Sequence, residues 1–190
     1  STGIELAGEA DGTVVSPDEA DGNAVRYSNM AFGQGLDATM IQVASAFSSV
    51  INGGNYYKPT VLAGRVDANG AFIALPAPTP IRKTISESTS KQMVTALQTA
   101  RATFYKAFDR PGYVIGGKTG TSQTLRNGVY VDSETVGTYL GFGGTDTPAY
   151  VIMVQVSGKD KPLQGGRDAL PIFTDMSNWM IDHLKLQPKG

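Results

Sequence analysis

Met40, Val43, Ala44, Phe47, Val50 and Ile51 recur at helical spacing, so a helix is expected here. Thr39 and Gln42 precede it as T-x-x-Q, the pattern of a capping box, and Gly53 stops the run. A second helix is expected from Ser86, with Met93, Val94 and Leu97 on its inner face. The last helix is expected to carry Ile172, Phe173, Met176, Trp179, Met180 and Leu184 as its core stripe. Pro171 suits its first turn, and Lys185 sits near the negative end of its dipole.

Between these helices the pattern shortens to alternation. "YYKPTVLAGRVDANGAFIAL" reads as a hairpin turning at Asn69-Gly70. Residues 113–121, 135–141 and 150–156 read as strands. "LRNGVYVDS" is the expected turn between the first two, and "GGTDTPA" is short enough to join the last two as an antiparallel pair. The apolar run from Val151 to Val154 fits a strand covered on both faces. "RATFYKAFDRPG" reads as a loop or a frayed helix end. Residues 1–36, rich in Gly, Asp and Glu, read as an irregular entry with room for one short strand. A helical and hairpin part follows over 37–112, and strands with a closing helix over 113–190. The fold class is α+β, an antiparallel β-sheet packed with helices.

Composition narrows the chemistry. A chain of 190 residues with 41% hydrophobic and 17% charged residues can bury the core of one domain. A net charge of −1 without like-charge runs argues against nucleic acid and against an electrostatic membrane partner. The apolar runs are too short to span a bilayer. "STGIELAGEADG" has neither the basic start nor the apolar stretch of a secretory leader. With 0 cysteines, thiol catalysis, zinc–thiolate sites and disulfides are excluded, which fits an oxidising compartment.

"GYVIGGKTGTSQT" matches two motifs. From Gly112 to Thr119 it is G-x-x-x-x-G-K-T, the phosphate-binding loop of nucleotide-binding proteins. That loop needs a buried strand before its first glycine and a helix beginning at the Lys-Thr. Here "FDRP" precedes Gly112, Tyr113-Val114-Ile115 favour strand, and Gly120 interrupts where the helix would run. From Lys118 the same stretch is K-T-G-T, which fits the end of a strand. An edge strand can pair with an extended peptide. Gly120 lets a ligand lie against the backbone. Lys118 supplies positive charge, the Thr119 and Thr121 hydroxyls can bind a carboxylate, and the Thr121 backbone N–H can help hold an oxyanion. The plain alternative is an ordinary strand end with a solvated lysine.

Other segments stand in a telling order. "TGIELAGEADG", "GQGLDATMIQVASAFSSVINGGNYYKP", "ISESTSKQM", "GGKTGTSQ", "GTYLGFGGTDTPAYVIMVQV" and "GGRDALPIF" together resemble the C-terminal part of a class B penicillin-binding protein transpeptidase domain. Gln123 favours class B over the bifunctional class A enzymes. The resemblance implies the transpeptidase and serine β-lactamase fold. It implies peptidoglycan cross-linking, in cell division or cell-shape maintenance, with stem peptides and β-lactam antibiotics as ligands and no cofactor or metal. Lys118, Thr119, Gly120 and Thr121 would bind the substrate carboxylate. In that family a serine in S-x-x-K attacks the D-Ala-D-Ala bond. S-x-x-K and a second motif, S-x-N, both lie upstream of the segment with which this chain opens. The chain is expected to supply three strands of a larger sheet, with an open edge and a complementary upstream segment. The resemblance also implies a domain outside the cytoplasmic membrane, anchored through an N-terminal segment upstream. A non-catalytic binding module of the same fold is the alternative.

Ser88-Thr89-Ser90-Lys91 matches S-x-x-K but falls where the family has a surface helix start, so its residues read as capping groups. No S-x-N occurs in the sequence. His183, the 1 histidine, reads as a boundary residue that packs its ring and wets its polar edge. Asp132 and Glu134 read as solvated turn residues, whereas Arg167 and Asp168 fall, by the resemblance, near the mouth of the site.

Overall fold

In the computed structural model, which describes residues 1–16, 18–19, 23–127 and 129–190, the chain divides into the units Ser1–Ser86 and Glu87–Gly190. In the first unit the entry segment is not wholly irregular. A short antiparallel bridge joins Thr13 to Asp37, and α1 spans Ala24–Met30. Asn23 Oδ1 accepts the Arg26 N–H at 2.9 Å, a side-chain N-cap. This helix escaped the periodicity reading because it has no buried residue and hence no apolar stripe.

The capping box at Thr39 is formed as expected and opens α2, Met40–Ile51. Thr39 Oγ1 accepts the Gln42 N–H at 3.3 Å, and Gln42 Oε1 accepts the Thr39 N–H at 2.8 Å. Gly53 and Gly54 then turn the chain at φ 85° and 88°. A side chain at Gly54 would overlap the Ile85 carbonyl, so backbone passes against backbone there. β1 (Asn55–Tyr56) pairs with β4 (Arg82–Lys83), and β2 (Gly64–Val66) with β3 (Phe72–Ala74), both antiparallel. The β2–β3 turn includes Asn69-Gly70, and Asp67 Oδ1 braces it by accepting the Asn69 and Ala71 N–H groups at 2.8 and 2.9 Å.

The second unit opens with α3, Glu87–Tyr105, and a 3-10 turn at Lys106–Phe108. The helix therefore runs on into "RATFYKAFDRPG", where a loop or frayed end was expected. Leu97 is buried, but Met93 faces solvent at 40% exposure, against expectation. The deepest residue of this face is Arg101, at 1%.

Then come β5 (Val114–Arg126), β6 (Val129–Gly144) and β7 (Pro148–Val156), a three-stranded antiparallel sheet in that order. All three expected strands form, the first two much longer than read. Most of "LRNGVYVDS" is strand; Gly128 within it, and the Asp132 side chain whose solvation was expected, lie outside the described residues. Asn127 takes a left-handed conformation, φ 51°. On β7, Ile152 and Val154 are buried while Val151 and Met153 are half-buried, so one face is covered more fully than the other.

A π-helical turn, Gly165–Ala169, leads into α4, Leu170–His183. The buried face of α4 is Leu170, Phe173, Thr174, Ser177 and Ile181. Of the expected stripe, Phe173 and the partly buried Met180 pack on the core; Ile172, Met176, Trp179 and Leu184 are exposed at 44%, 44%, 59% and 43%. The true face uses small polar residues that a hydrophobic count skips. Ser177 Oγ lies 2.7 Å from the Tyr150 hydroxyl. The core joins Ile115, Tyr139, Ile152 and Val154 of the sheet to Ala169, Leu170, Phe173 and Ile181. Each such large apolar side chain contributes about 1.5–3 kcal/mol through burial. The Phe173 ring fills the space where a Gly141 side chain would stand, which seats α4 on β6. His183 is exposed and stacks on Trp179, ring centroids 4.6 Å apart, as a boundary histidine should.

Candidate active site

Lys118, Thr119, Gly120 and Thr121 all lie within β5, which pairs with β6 alone among the described residues. The register sets Lys118 opposite Leu140, Thr119 opposite Tyr139, Gly120 opposite Thr138 and Thr121 opposite Gly137. A strand at Lys118-Thr119 leaves no place for the helix that a phosphate-binding loop requires. The nucleotide reading of residues 112–119 is therefore set aside on geometry.

Lys118 is exposed, and its Nζ donates to the Thr119 carbonyl oxygen at 2.9 Å and to Thr119 Oγ1 at 3.3 Å. Thr121 Oγ1 accepts the Gly165 N–H at 3.2 Å. The motif is thus gripped from two sides. Beneath it, Gly117 lies on Tyr139: a Cβ there would stand 2.7 Å from the ring edge and 2.8 Å from the hydroxyl oxygen. Above it, the π-turn presses on Gly120, and a Cβ at Gly165 would overlap the Gly120 and Thr138 carbonyl oxygens.

Tyr139 is held by a buried ionic network that the sequence reading missed. Arg101 Nη1 donates to the Tyr139 hydroxyl at 3.0 Å and Nη2 donates to Thr174 Oγ1 at 3.0 Å. Nε and Nη2 both donate to the Asp109 carboxylate, at 2.6–3.0 Å. Burial alone lowers the Arg101 pKa, and the hydrogen bonds to Asp109 and Tyr139 more than offset this, so the charge is secured. Burial raises the Tyr139 pKa above the ordinary tyrosine range, opposed by its bond to Arg101. A cleft of about 220 Å³ opens beside the motif, lined by Arg101, Phe104, Tyr105, Lys118, Thr119 and Tyr139 among others. Tyr105 also walls a second, more apolar cavity of about 320 Å³ with Phe108, Gly166, Leu170 and Pro171.

The far end of the β5–β6 hairpin is clasped as well. Glu134, expected to be solvated, is 8% exposed and pairs with Arg126. Its Oε2 also accepts the Asp160 N–H at 2.9 Å. It sits where the β5–β6 register shifts after Gln123, a bulge that turns the side chain inward. Arg126 stands opposite Val129 in register and Glu134 falls in the bulged stretch, so no regular cross-strand spacing in the sequence signals the pair. Arg167 and Asp168 stand beside the motif through the π-turn: Arg167 donates to Asp168 at 2.8–3.0 Å and to the Pro162 carbonyl at 2.7 Å. Arg167 holds the Asp168 carboxyl below its usual range.

Ser88 lies in the first turn of α3, and Lys91 is engaged by Glu87 at 2.8 Å, a surface i,i+4 pair. This is the helix start expected for the S-x-x-K match. Among the described residues no cluster of His, Asp or Glu could hold a metal ion, and no helix is long and apolar enough to cross a membrane. An edge strand carrying a lysine and two threonine hydroxyls can receive an extended anionic peptide.

Known proteins resemble this chain in sequence and fold. The penicillin binding protein transpeptidase domain model matches residues 1–178. Stage V sporulation protein D of Bacillus subtilis is 35% identical over 99% of this chain and 29% of its own length. Penicillin-binding protein PbpB of Mycobacterium tuberculosis is 28% identical over 98% of this chain and 29% of its own. The chain therefore spans 29% of the length of these curated relatives. The crystal structure of M. tuberculosis penicillin binding protein 3 complexed with ampicillin superposes with a TM-score of 0.83 at 26% identity, covering 99% of this chain and 44% of that one. Penicillin-binding protein 2B of Streptococcus pneumoniae shares the fold, with a TM-score of 0.76 at 22% identity over 98% of this chain and 31% of that one. In sequence and in α+β architecture alike, the chain belongs to the penicillin-binding protein transpeptidase domain family.

Proposed function

We propose that residues 1–190 are the C-terminal portion of one DD-transpeptidase domain and that β5 is its substrate-carboxylate strand. The observation that carries this is the K-T-G-T stretch on an edge strand, with an exposed ammonium at Lys118 and an anchored hydroxyl at Thr121. Relatives named peptidoglycan D,D-transpeptidase, such as PenA of Neisseria flavescens at 27% identity, support it. So does the ampicillin complex of the M. tuberculosis protein. Lys118, Thr119, Gly120 and Thr121 bind the terminal carboxylate of a D-Ala-D-Ala stem peptide or of a β-lactam. The Thr121 backbone N–H stabilises the oxyanion that forms when the scissile carbonyl is attacked.

The attacking serine lies on an upstream segment in an S-x-x-K motif. Its oxygen bonds to the carbonyl carbon while the lysine takes its proton; the C–N bond then breaks, and that proton passes to the departing nitrogen so that the terminal D-Ala leaves as an amine. An amine of a neighbouring stem peptide then displaces the serine and forms the cross-link. The domain works outside the cytoplasmic membrane, where peptidoglycan is assembled.

Intact-protein mass spectrometry of the 190-residue chain after incubation with a penicillin tests the division of labour. No covalent adduct is expected from this chain alone. An adduct on Ser88 would overturn the assignment, as would Mg²⁺-dependent ATP binding at residues 112–119. Reversible binding that never proceeds to acylation once the upstream segment is restored would make the chain a non-catalytic module.

A further inference from the structure

The contact between Gly165 and Thr121 has a chemical polarity. A threonine hydroxyl has one proton to donate and two lone pairs that accept. Thr121 Oγ1 spends a lone pair on the Gly165 N–H at 3.2 Å. Its proton is then directed away from Gly165. A hydroxyl held this way offers a donor to an incoming ligand. One that faced its ligand with lone pairs would repel a carboxylate.

The geometry that fixes this polarity is built from backbone. A Cβ at Gly165 would overlap the Gly120 and Thr138 carbonyl oxygens, and one at Gly137 would stand 2.5–2.8 Å from the Gln164 carbonyl and the Gly165 nitrogen. Gln164 and Gly165 therefore lie flat against the two strands at the motif. The connection leading to them is pinned along its length. The Thr135 N–H donates to the Lys161 carbonyl at 3.1 Å, and Thr135 Oγ1 donates to the Leu163 carbonyl at 2.5 Å. The Gln164 N–H donates to Asp168 Oδ2 at 2.7 Å. The Arg126–Glu134 pair holds Asp160 at the start of the same stretch. Gly165 also opens a π-helical turn, a departure from regular helix often found where a site must be shaped.

We propose that Gly165 is a positioning residue whose backbone N–H fixes the Thr121 hydroxyl as a donor, and that this contact makes the strand prefer a ligand carboxylate over its neutral amide. This rests on the carboxylate-binding reading of residues 118–121.

The test compares binding of N-acetyl-D-alanyl-D-alanine and of its C-terminal amide to the 190-residue chain, followed by the backbone amide signals of residues 118–121. An amide-to-ester replacement at Gly165 exchanges the N–H for an oxygen and adds no atom to the crowded contact; it also weakens the Gln164 carbonyl that accepts the Asp168 N–H, an effect read separately as stability. It is expected to reduce the carboxylate-over-amide preference by about tenfold. Thr121→Val should lose the same preference, Thr121→Ser should keep it, and the ester combined with Thr121→Val should lose no more than either alone. A merely structural role for the N–H would lower stability and leave the preference intact. If the ester variant keeps the wild-type preference, the inference is overturned while the binding reading stands. If the wild-type chain binds neither probe, the binding reading itself fails and this inference falls with it.

Discussion

Arg101 and Asp109, eight positions apart, form a forked ion pair in which the guanidinium side chain is fully buried and the carboxylate is 14% exposed. The same guanidinium lies over Tyr139 and Phe173, with its central carbon 5.5 and 5.0 Å from the ring centres. Removing either charged partner strands the other in the core. Arg101→Ala and Asp109→Asn are each expected to cost about 3–5 kcal/mol, read as a lowered urea midpoint. The double variant Arg101→Met with Asp109→Leu should cost much less than the two single losses added together, because no charge is left unpaired. Simple additivity would refute the idea that the pair acts as a unit.

Tyr139 and Tyr150 give the unit a sensitivity to alkali. Burial raises the pKa of both hydroxyls, against the opposing effect of Arg101 on Tyr139 and of Ser177 on Tyr150. A phenol with a raised folded-state pKa stabilises the fold fully below its unfolded value. That stabilisation is lost as pH rises through the folded value. The unfolded value is about 10, so stability is expected to fall above that pH. Tyr139→Phe and Tyr150→Phe should each flatten the decline. Urea midpoints that stay constant through about pH 9 to 11 would contradict this.

The end of α4 invites a gain rather than a loss. Lys185 sits in the left-handed region at φ 52°, its N–H donating to Asp182 while the Leu186 N–H donates to Ile181 at 3.0 Å. This is the two-bond Schellman closure, whose left-handed position favours glycine. Lys185→Gly should stabilise the chain by about 0.5–1 kcal/mol, after allowing for the freer unfolded chain. A lower melting temperature would show that the lysine helps to hold the helix end.

In the first unit, Thr39→Ala should cost about 1 kcal/mol by opening one half of the capping box. The check is amide hydrogen exchange. Protection at Gln42 and Val43 should drop, while the strands β5 to β7 remain unchanged. Unaltered protection at Gln42 would mean that the Thr39 hydroxyl contributes little.

Features whose cause is local were readable in advance. T-x-x-Q at Thr39, Asn69-Gly70 between β2 and β3, and the strand carrying Lys118 depend on neighbours only a few positions away. Features made by distant partners were not. A buried arginine is read as surface until Asp109, Tyr139 and Thr174 are seen around it. Ser177 counts as polar in any stripe, yet it is buried at 1% because the Tyr150 hydroxyl meets it from another element. That one placement, with Thr174, rotates the whole inner face of α4 away from Met176 and Trp179. Gly165 was visible only as part of a resembling segment; its contact with Thr121 spans 44 positions.

The glycines around the motif bear on how this protein can change over generations. At Gly117, Gly120, Gly137, Gly141 and Gly165 the space a first side-chain atom needs is already occupied. Most of the obstruction is backbone or a buried ring, neither of which yields cheaply. Mutations that reach these positions disturb the sheet before they retune the site. Heritable variation in ligand preference is thereby channelled outward, to exposed neighbours such as Phe104 and Phe108, which stand at 74% and 62% exposure beside the two cavities. Under selection, adaptive substitutions should accumulate on that rim while the floor of the site stays nearly invariant.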